Sequence, residues 1–207
     1  EDFHQWTLNP QETETIIRKA LDLGINFFDT ANVYSHGTSE EYLGQALKKN
    51  IARDKAVIAT KVYFNEGHLS KEAINREIDS SLKRLGTDYV DLYIIHRFDY
   101  DTSIEETMEA LDGLVKSGKV RALGASAMYG YQFHNMQLAA EKNGWTKFVS
   151  MQNHYNLLYR EDEREMIPVC RQYNVSLTPY SPLASGRLSR LEWPVSYTHL
   201  RAHETSA

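Results

Sequence analysis

Three polar side chains stand where apolar runs end. Asp29 closes Ile25-Asn26-Phe27-Phe28, Lys61 closes Val57-Ile58-Ala59-Thr60, and His96 closes Val90-Asp91-Leu92-Tyr93-Ile94-Ile95. A phenol, Tyr34, follows Asp29 by five residues on the loop beyond the first run. A carboxylate at a strand end can hold a cation, and a phenol beside that cation becomes an acid usable near neutral pH. Each residue alone has a plainer reading: Tyr34 as a loop aromatic, Lys61 as a snorkelling strand-end lysine, His96 as a satisfied core histidine. Their recurrence at successive strand ends favours one shared site.

The elements that must position these groups follow from local patterns. Asn9-Pro10-Gln11-Glu12 starts a helix, with Asn as N-cap, Pro at the first helical position and an acid in the first turn. Ile16, Ile17, Ala20, Leu21 and Leu23 supply its apolar face, and Gly24 ends it. Strand 25–29 comes next, then the Tyr34 loop. A helix over 39–49 is entered through Thr38-Ser39-Glu40-Glu41, a capping-box pattern. Strand 56–61 precedes a helix capped by Ser70, in which Ile74, Ile78, Leu82 and Leu85 repeat at helical spacing until Gly86 stops it. Strand 89–95 is a nearly continuous apolar run, as expected of a parallel strand covered on both faces. Ser103 and Glu106 form a second capping box, for a helix running to about Ser117. Strand 120–125, helix 130–143, strand 147–152, helix 161–173 and strand 175–180 complete the series.

The strand-end residues Asp29, Lys61, His96, Ser126, Gln152 and Ser181 lie 32, 35, 30, 26 and 29 residues apart. Six βα units of this length imply parallel strands joined by right-handed crossovers. The expected fold is α/β, an incomplete (β/α)8 TIM barrel with about six of eight units present and its functional groups at the C-terminal strand ends. A doubly wound open sheet is the alternative. It usually carries a Gly-rich phosphate turn after its first strand, whereas DTANVYS stands there in this chain.

Gly24, Asn26, Asp29, Thr30, Ala31, Tyr34, Gly37, Ser39, Glu40, Leu43 and Gly44 together resemble the signature of the aldo-keto reductases. The resemblance runs from about Ile16 to Leu188 and is closest to the branch that includes the potassium-channel β-subunits. It implies NADPH-dependent reduction of an aldehyde or ketone to an alcohol. No side chain donates hydride, so a nicotinamide cofactor is required. Tyr34 is then the general acid. Its phenol, ordinarily near pKa 10, needs the Lys61 ammonium beside it, and Asp29 keeps that ammonium charged and oriented. His96 would hydrogen-bond the carbonyl oxygen. For the cofactor the resemblance points to Ser126 and Gln152 around the nicotinamide carboxamide, Tyr180 stacked on the ring, and Ser181, Pro182 and Leu183 around the pyrophosphate. One departure stands out: members often have Ser-Asn or Ser-Ser where this chain has Ser126-Ala127. Trp6, Phe98, Met128 and Tyr129 are candidates to line the substrate pocket. The rival function is a redox-sensing regulatory module like the channel β-subunits, which keep the tetrad and cofactor but act by docking.

Composition narrows the field. The chain has 207 residues, 42% of them hydrophobic, which suffices for one sizeable core. A net charge of -5 without a basic cluster argues against nucleic acid as the main partner. A small-molecule carbonyl substrate is expected instead, with no metal site. No apolar run reaches the ~20 residues of a membrane span. The single cysteine, Cys170, excludes an internal disulfide and fits a reducing cytoplasm. The ends depart from the resemblance. The family's first strand and its last strand, with the segment gripping the adenosine 2′-phosphate, have no counterpart. Residues 1–194 are therefore expected to be a partial barrel domain, inactive and weak in NADPH binding as it stands, with two long, flat, apolar edges. Val195–Thr205 matches one reading frame of a transposon-end adapter of the kind used in sequencing libraries, so 195–207 is set aside as a non-native tail. The other reading is a divergent terminus with His199 and His203 spaced as metal ligands.

Overall fold

The computed structural model describes residues 7–189, so Trp6 and the tail from Val195 lie outside the described residues. Six helices and six strands alternate in it. They are α1 (Pro10–Asp22), β1 (Phe27–Asp29), α2 (Thr38–Asn50), β2 (Val57–Val62), α3 (Lys71–Leu85), β3 (Val90–Ile95), α4 (Ile104–Lys116), β4 (Val120–Ser126), α5 (Gly130–Asn143), β5 (Phe148–Gln152), α6 (Met166–Gln172) and β6 (Ser176–Leu177). The strands form one sheet in chain order, β1 to β6, and every neighbouring pair is parallel. This is the βα repeat that the spacing of strand-end residues implies.

The sheet is curled rather than open. The Gln152 side chain, at the end of β5, donates to the Asp29 carboxylate at the end of β1 at 2.9 Å. Four strand intervals of about 4.8 Å would hold those strands roughly 19 Å apart in a flat sheet. Side chains of that length meet only if the strands wrap around a common interior, as in a (β/α)8 barrel with part of its wall absent.

The two faces of the sheet pack differently. On the helix side, Phe28, Ile58, Tyr93, Ile95, Leu123, Phe148 and Met151 join Ile74, Ile78, Leu82, Leu111, Phe133 and Met136 in the main core. On the inner side a small cluster, Ala59, Leu92 and Ile94 with Ala122, fills the interior. Gly124 belongs to this inner layer because space forbids more: a Cβ there would lie 2.5 Å from Ser150 Oγ and 3.1 Å from Ile94 Cγ1.

Several local expectations are corrected. Thr38-Ser39-Glu40-Glu41 is not a capping box: the N-cap of α2 is Gly37, at φ 94°, without a side-chain cap. Three of its four side chains have other partners. Thr38 donates to the Ser35 carbonyl, Ser39 meets Thr30, and Glu40 is buried against Thr60 and Arg84. The Ser103 box is half formed, because Ser103 accepts the Glu106 N–H while the Glu106 carboxylate takes the Lys71 N–H at the start of α3. Asn9 and Glu12 do form a reciprocal box on α1. The apolar face of α1 is only partly covered: Ile17, Ala20 and Leu21 pack on the core, while Ile16 and Leu23 are exposed. The segment 161–173 is a short 3₁₀ turn, Glu161–Glu163, followed by α6. The edges are short rather than long, three residues in β1 and two in β6, with one further bridge from His154 to Tyr180. Short edges limit pairing with other chains.

Gly44 tests the packing of α2 on α3. A Cβ at this position would lie 2.2 Å from the Leu85 carbonyl oxygen, a backbone atom that cannot step aside alone. Gly44→Ala is expected to destabilise the fold by ~3 kcal/mol in urea unfolding, and a change below about 0.5 kcal/mol would contradict this packing.

Candidate active site

Lys61 is the penultimate residue of β2, and its side chain is fully buried. An ammonium has three donors and no acceptor, and three oxygens receive them. Lys61 ion-pairs with the Asp29 carboxylate, donates to the Thr30 carbonyl at 2.8 Å and donates to the Tyr34 hydroxyl at 3.4 Å. Burying an unpaired ammonium costs several kcal/mol, so complete pairing is the condition for this residue to be charged here.

Tyr34 opens a 3₁₀ turn, Tyr34–Gly37, between β1 and α2. The next three residues, Ser35, His36 and Gly37, have φ of 47°, 54° and 94°. Left-handed backbone costs an L-residue roughly 1–2 kcal/mol. The Thr38 hydroxyl, bonded to the Ser35 carbonyl at 2.8 Å, braces the turn. This reversal returns the phenol of a loop residue to a strand-end ammonium.

His96 directly follows β3, with its N–H on the Val62 carbonyl at 2.9 Å. Its ring stands edge-on to Tyr34 at 5.7 Å and to Phe64 at 5.0 Å. Burial, then the charges of Lys61 and Arg97, push its pKa down to about 4, with Asp29 pulling the other way. The imidazole is therefore neutral near pH 7 and has one N–H to donate. Its Nδ1 is buried without a partner among the described residues. The structure thus brings Asp29, Tyr34, Lys61 and His96 together from three strand ends and one turn.

The candidate cofactor residues flank this group. Ser126 ends β4 and donates from Oγ to the Gln152 carbonyl at 2.6 Å. Gln152 spends one amide N–H on Asp29. Tyr180 presents a ring 40% exposed, backed by His154 at 5.2 Å, which stacks in turn on Tyr159 at 4.4 Å. Ser181 has φ 55°, and its carbonyl accepts from Asn156 Nδ2 at 3.1 Å. Pro182 and Leu183 are exposed. A backed aromatic face beside a strand-end amide and hydroxyl fits a nicotinamide with its carboxamide.

A cleft of about 660 Å³ opens beside the cluster, on the loops that follow β3, β4 and β5. Phe98, Met128 and Tyr129 line it together with Tyr63, Tyr159 and Tyr180. The four polar residues are not in its wall, so cleft and polar cluster are neighbours, linked through Tyr63 and Arg97. Asp162 also lines the cleft. Burial raises its carboxyl pKa above the ordinary value, against a hydrogen bond from Asn153. Asp162, Phe64 and Tyr63 were not singled out from sequence, because loop aromatics and acids carry no pattern there. Phe64, three residues past Lys61, is the one that strand-end counting could have found. Ala127, also in the wall, has φ 45°, a conformation that Asn tolerates better than Ala.

Two outcomes follow. Ala127→Asn is expected to raise unfolding stability by ~0.5–1 kcal/mol by relieving the left-handed backbone, and a loss measured in urea would refute this. His96 sets a pH dependence. Its folded pKa lies below the unfolded value, so the unfolded chain binds the proton first as pH falls. Its contribution is complete above about pH 6.5 and is lost on going down to about pH 4. His96→Gln should therefore lose less stability than the parent between those values, and equal losses would show that His96 is not the titrating group.

The sequence profile of the Aldo/keto reductase family matches residues 2–200, wider at both ends than the span from Ile16 to Leu188. Among curated proteins, an aldo-keto reductase of Fusarium vanettenii is 49% identical, over 89% of this chain and 58% of that protein. The aldo-keto reductase AMT2 of Alternaria alternata is 45% identical, over 91% of this chain and 59% of its own length. The versiconal hemiacetal acetate reductase of Aspergillus parasiticus is 46% identical, over 91% of this chain and 62% of its own length. The chain thus spans about three fifths of these relatives, and within that span it belongs to the aldo/keto reductase family.

Proposed function

We propose that the chain carries the acid–base centre of an NADPH-dependent carbonyl reductase, with Tyr34 as the general acid. The observation that carries this reading is the Lys61 ammonium, whose three protons go to Asp29, Thr30 and Tyr34. Tyr34 donates its hydroxyl proton to the carbonyl oxygen of the substrate. The phenoxide left behind is stabilised by the Lys61 charge, which Asp29 holds in place. Neutral His96 donates a hydrogen bond to the same oxygen and orients the carbonyl. When bound, the nicotinamide supplies the hydride that the carbonyl carbon receives. Ser126 and Gln152 would hold its carboxamide, Tyr180 its ring, and Ser181, Pro182 and Leu183 its pyrophosphate.

The aromatic walls of the neighbouring cleft suit the body of a small carbonyl compound. A reducing, cytoplasmic setting agrees with the buried Cys170 thiol, which burial pushes up to about 11. No helix among the described residues is long and apolar enough to cross a membrane. The regulatory-module reading draws no support from the relatives named above, all of which carry reductase names.

Tyr34→Phe removes the acid and keeps the ring. In the full-length protein it is expected to lower kcat on an aldehyde panel by roughly 10²–10⁴-fold while NADPH affinity changes less than about twofold. A kcat within about threefold of the parent would remove Tyr34 from the role.

A further inference from the structure

The turn that carries Tyr34 is braced from the helix side of the sheet by Glu40, Thr60 and Arg84, whose side chains hydrogen-bond to none of Asp29, Tyr34, Lys61 and His96. Glu40, in the first turn of α2, is fully buried. It accepts from the Thr60 hydroxyl at 2.5 Å and pairs with Arg84 Nε at 2.6 Å. Thr60 precedes Lys61 in β2, so the two side chains leave opposite faces of one strand. Arg84 comes from the last turn of α3 and also reaches Ser81 Oγ at 3.3 Å. Its stem lies against Gly37, the last residue of the left-handed turn: a Cβ there would meet Arg84 Cδ at 2.8 Å and Nε at 3.1 Å. On the other flank the hydroxyls of Thr30 and Ser39 meet at 2.8 Å, and the Thr30 carbonyl is itself a Lys61 acceptor.

We propose that Arg84, acting through Glu40 and Gly37, is a positioning residue that sets the separation of Tyr34 from Lys61. The inference rests on Tyr34 being the general acid. Two features make the separation sensitive. The Lys61–Tyr34 contact of 3.4 Å is at the long end for a hydrogen bond, so a small further shift breaks it. Left-handed non-glycine residues such as Ser35 and His36 keep that conformation only where their surroundings over-determine it. Arg84 and Glu40 supply that constraint by fastening both the turn and α2 to β2 beside Lys61. Removing the guanidinium leaves a buried carboxylate uncompensated, and the start of α2 must shift to hydrate it.

The test uses the 207-residue chain with labelled tyrosine rings, observed by NMR. The Tyr34 signal is identified by its loss in Tyr34→Phe. In Arg84→Met it is expected to move or broaden, while Tyr155, bonded to Glu163, keeps its position and the circular dichroism is unchanged. Arg84→Lys keeps the charge and should move the signal less. Glu40→Gln weakens the same ion pair without altering the turn's backbone and gives a second route should Arg84→Met not fold. In turnover by the full-length protein, Arg84→Met is expected to lower kcat by roughly 10- to 100-fold with KM and NADPH affinity nearly unchanged. It should add nothing further in a Tyr34→Phe background. A folded Arg84→Met or Glu40→Gln with an unmoved Tyr34 signal overturns the positioning role. So does a kcat loss that multiplies in full on top of Tyr34→Phe. A Tyr34 signal that moves while Tyr34→Phe leaves kcat of the full-length protein within about threefold of the parent upholds the positioning and overturns the general-acid reading.

Discussion

A fully buried ammonium is the constraint around which this structure is arranged. Lys61 has no access to water, so its three N–H groups must all find oxygen in protein. One comes from the neighbouring strand end, one from the backbone just beyond it, and one from a phenol on a reversed turn. The demand that Lys61 be satisfied thus fixes where β1 ends, how the chain turns after it, and which way Tyr34 faces. The same charge helps hold His96 in its neutral form. One buried cation therefore gathers a phenol and a neutral imidazole around a single point.

The division of the sheet into two faces explains how so polar a group is tolerated. The helix side supplies nearly all of the apolar burial, through the large side chains of β2 to β5 against α3, α4 and α5. The inner side is lined by small residues, Ala59, Ala122 and Gly124, under Leu92 and Ile94. Stability comes from the outer layer, which leaves the strand ends free to carry Asp29, Lys61, Ser126 and Gln152. Polar side chains sit at C-terminal strand ends, where the fold gives up little packing to host them.

Much of this was legible in the sequence, for physical reasons. Parallel strands covered on both faces are apolar throughout, so Val90–Ile95 and its counterparts end visibly where a polar residue follows. That contrast picks out Lys61 and His96 and gives the repeat length. The helices Lys71–Leu85 and Gly130–Asn143 run over the residues that the sequence marks for them. What was not legible depends on contacts distant in sequence. Glu40 lies within the capping pattern, yet Thr60 and Arg84, 20 and 44 residues away, claim it. The bond from Gln152 to Asp29 spans 123 residues and exists only because the sheet curls. Strand β6 shrinks to two residues because Tyr180 reaches its neighbour through a single bridge at His154 instead of a continuous ladder.

The Asp29 carboxylate has one oxygen on Lys61 and the other on Gln152, side chains of two strands on opposite sides of the interior. It works as a strut across the mouth of the sheet. Flattening the sheet would lengthen the link to Gln152 while leaving the link to Lys61 in place, and pinching the sheet would crowd both. The orientation of this carboxylate, and through it that of the ammonium, therefore reports the curvature of the whole wall. A distant change that alters how tightly the strands wrap reaches Lys61 as a rotation of a single side chain.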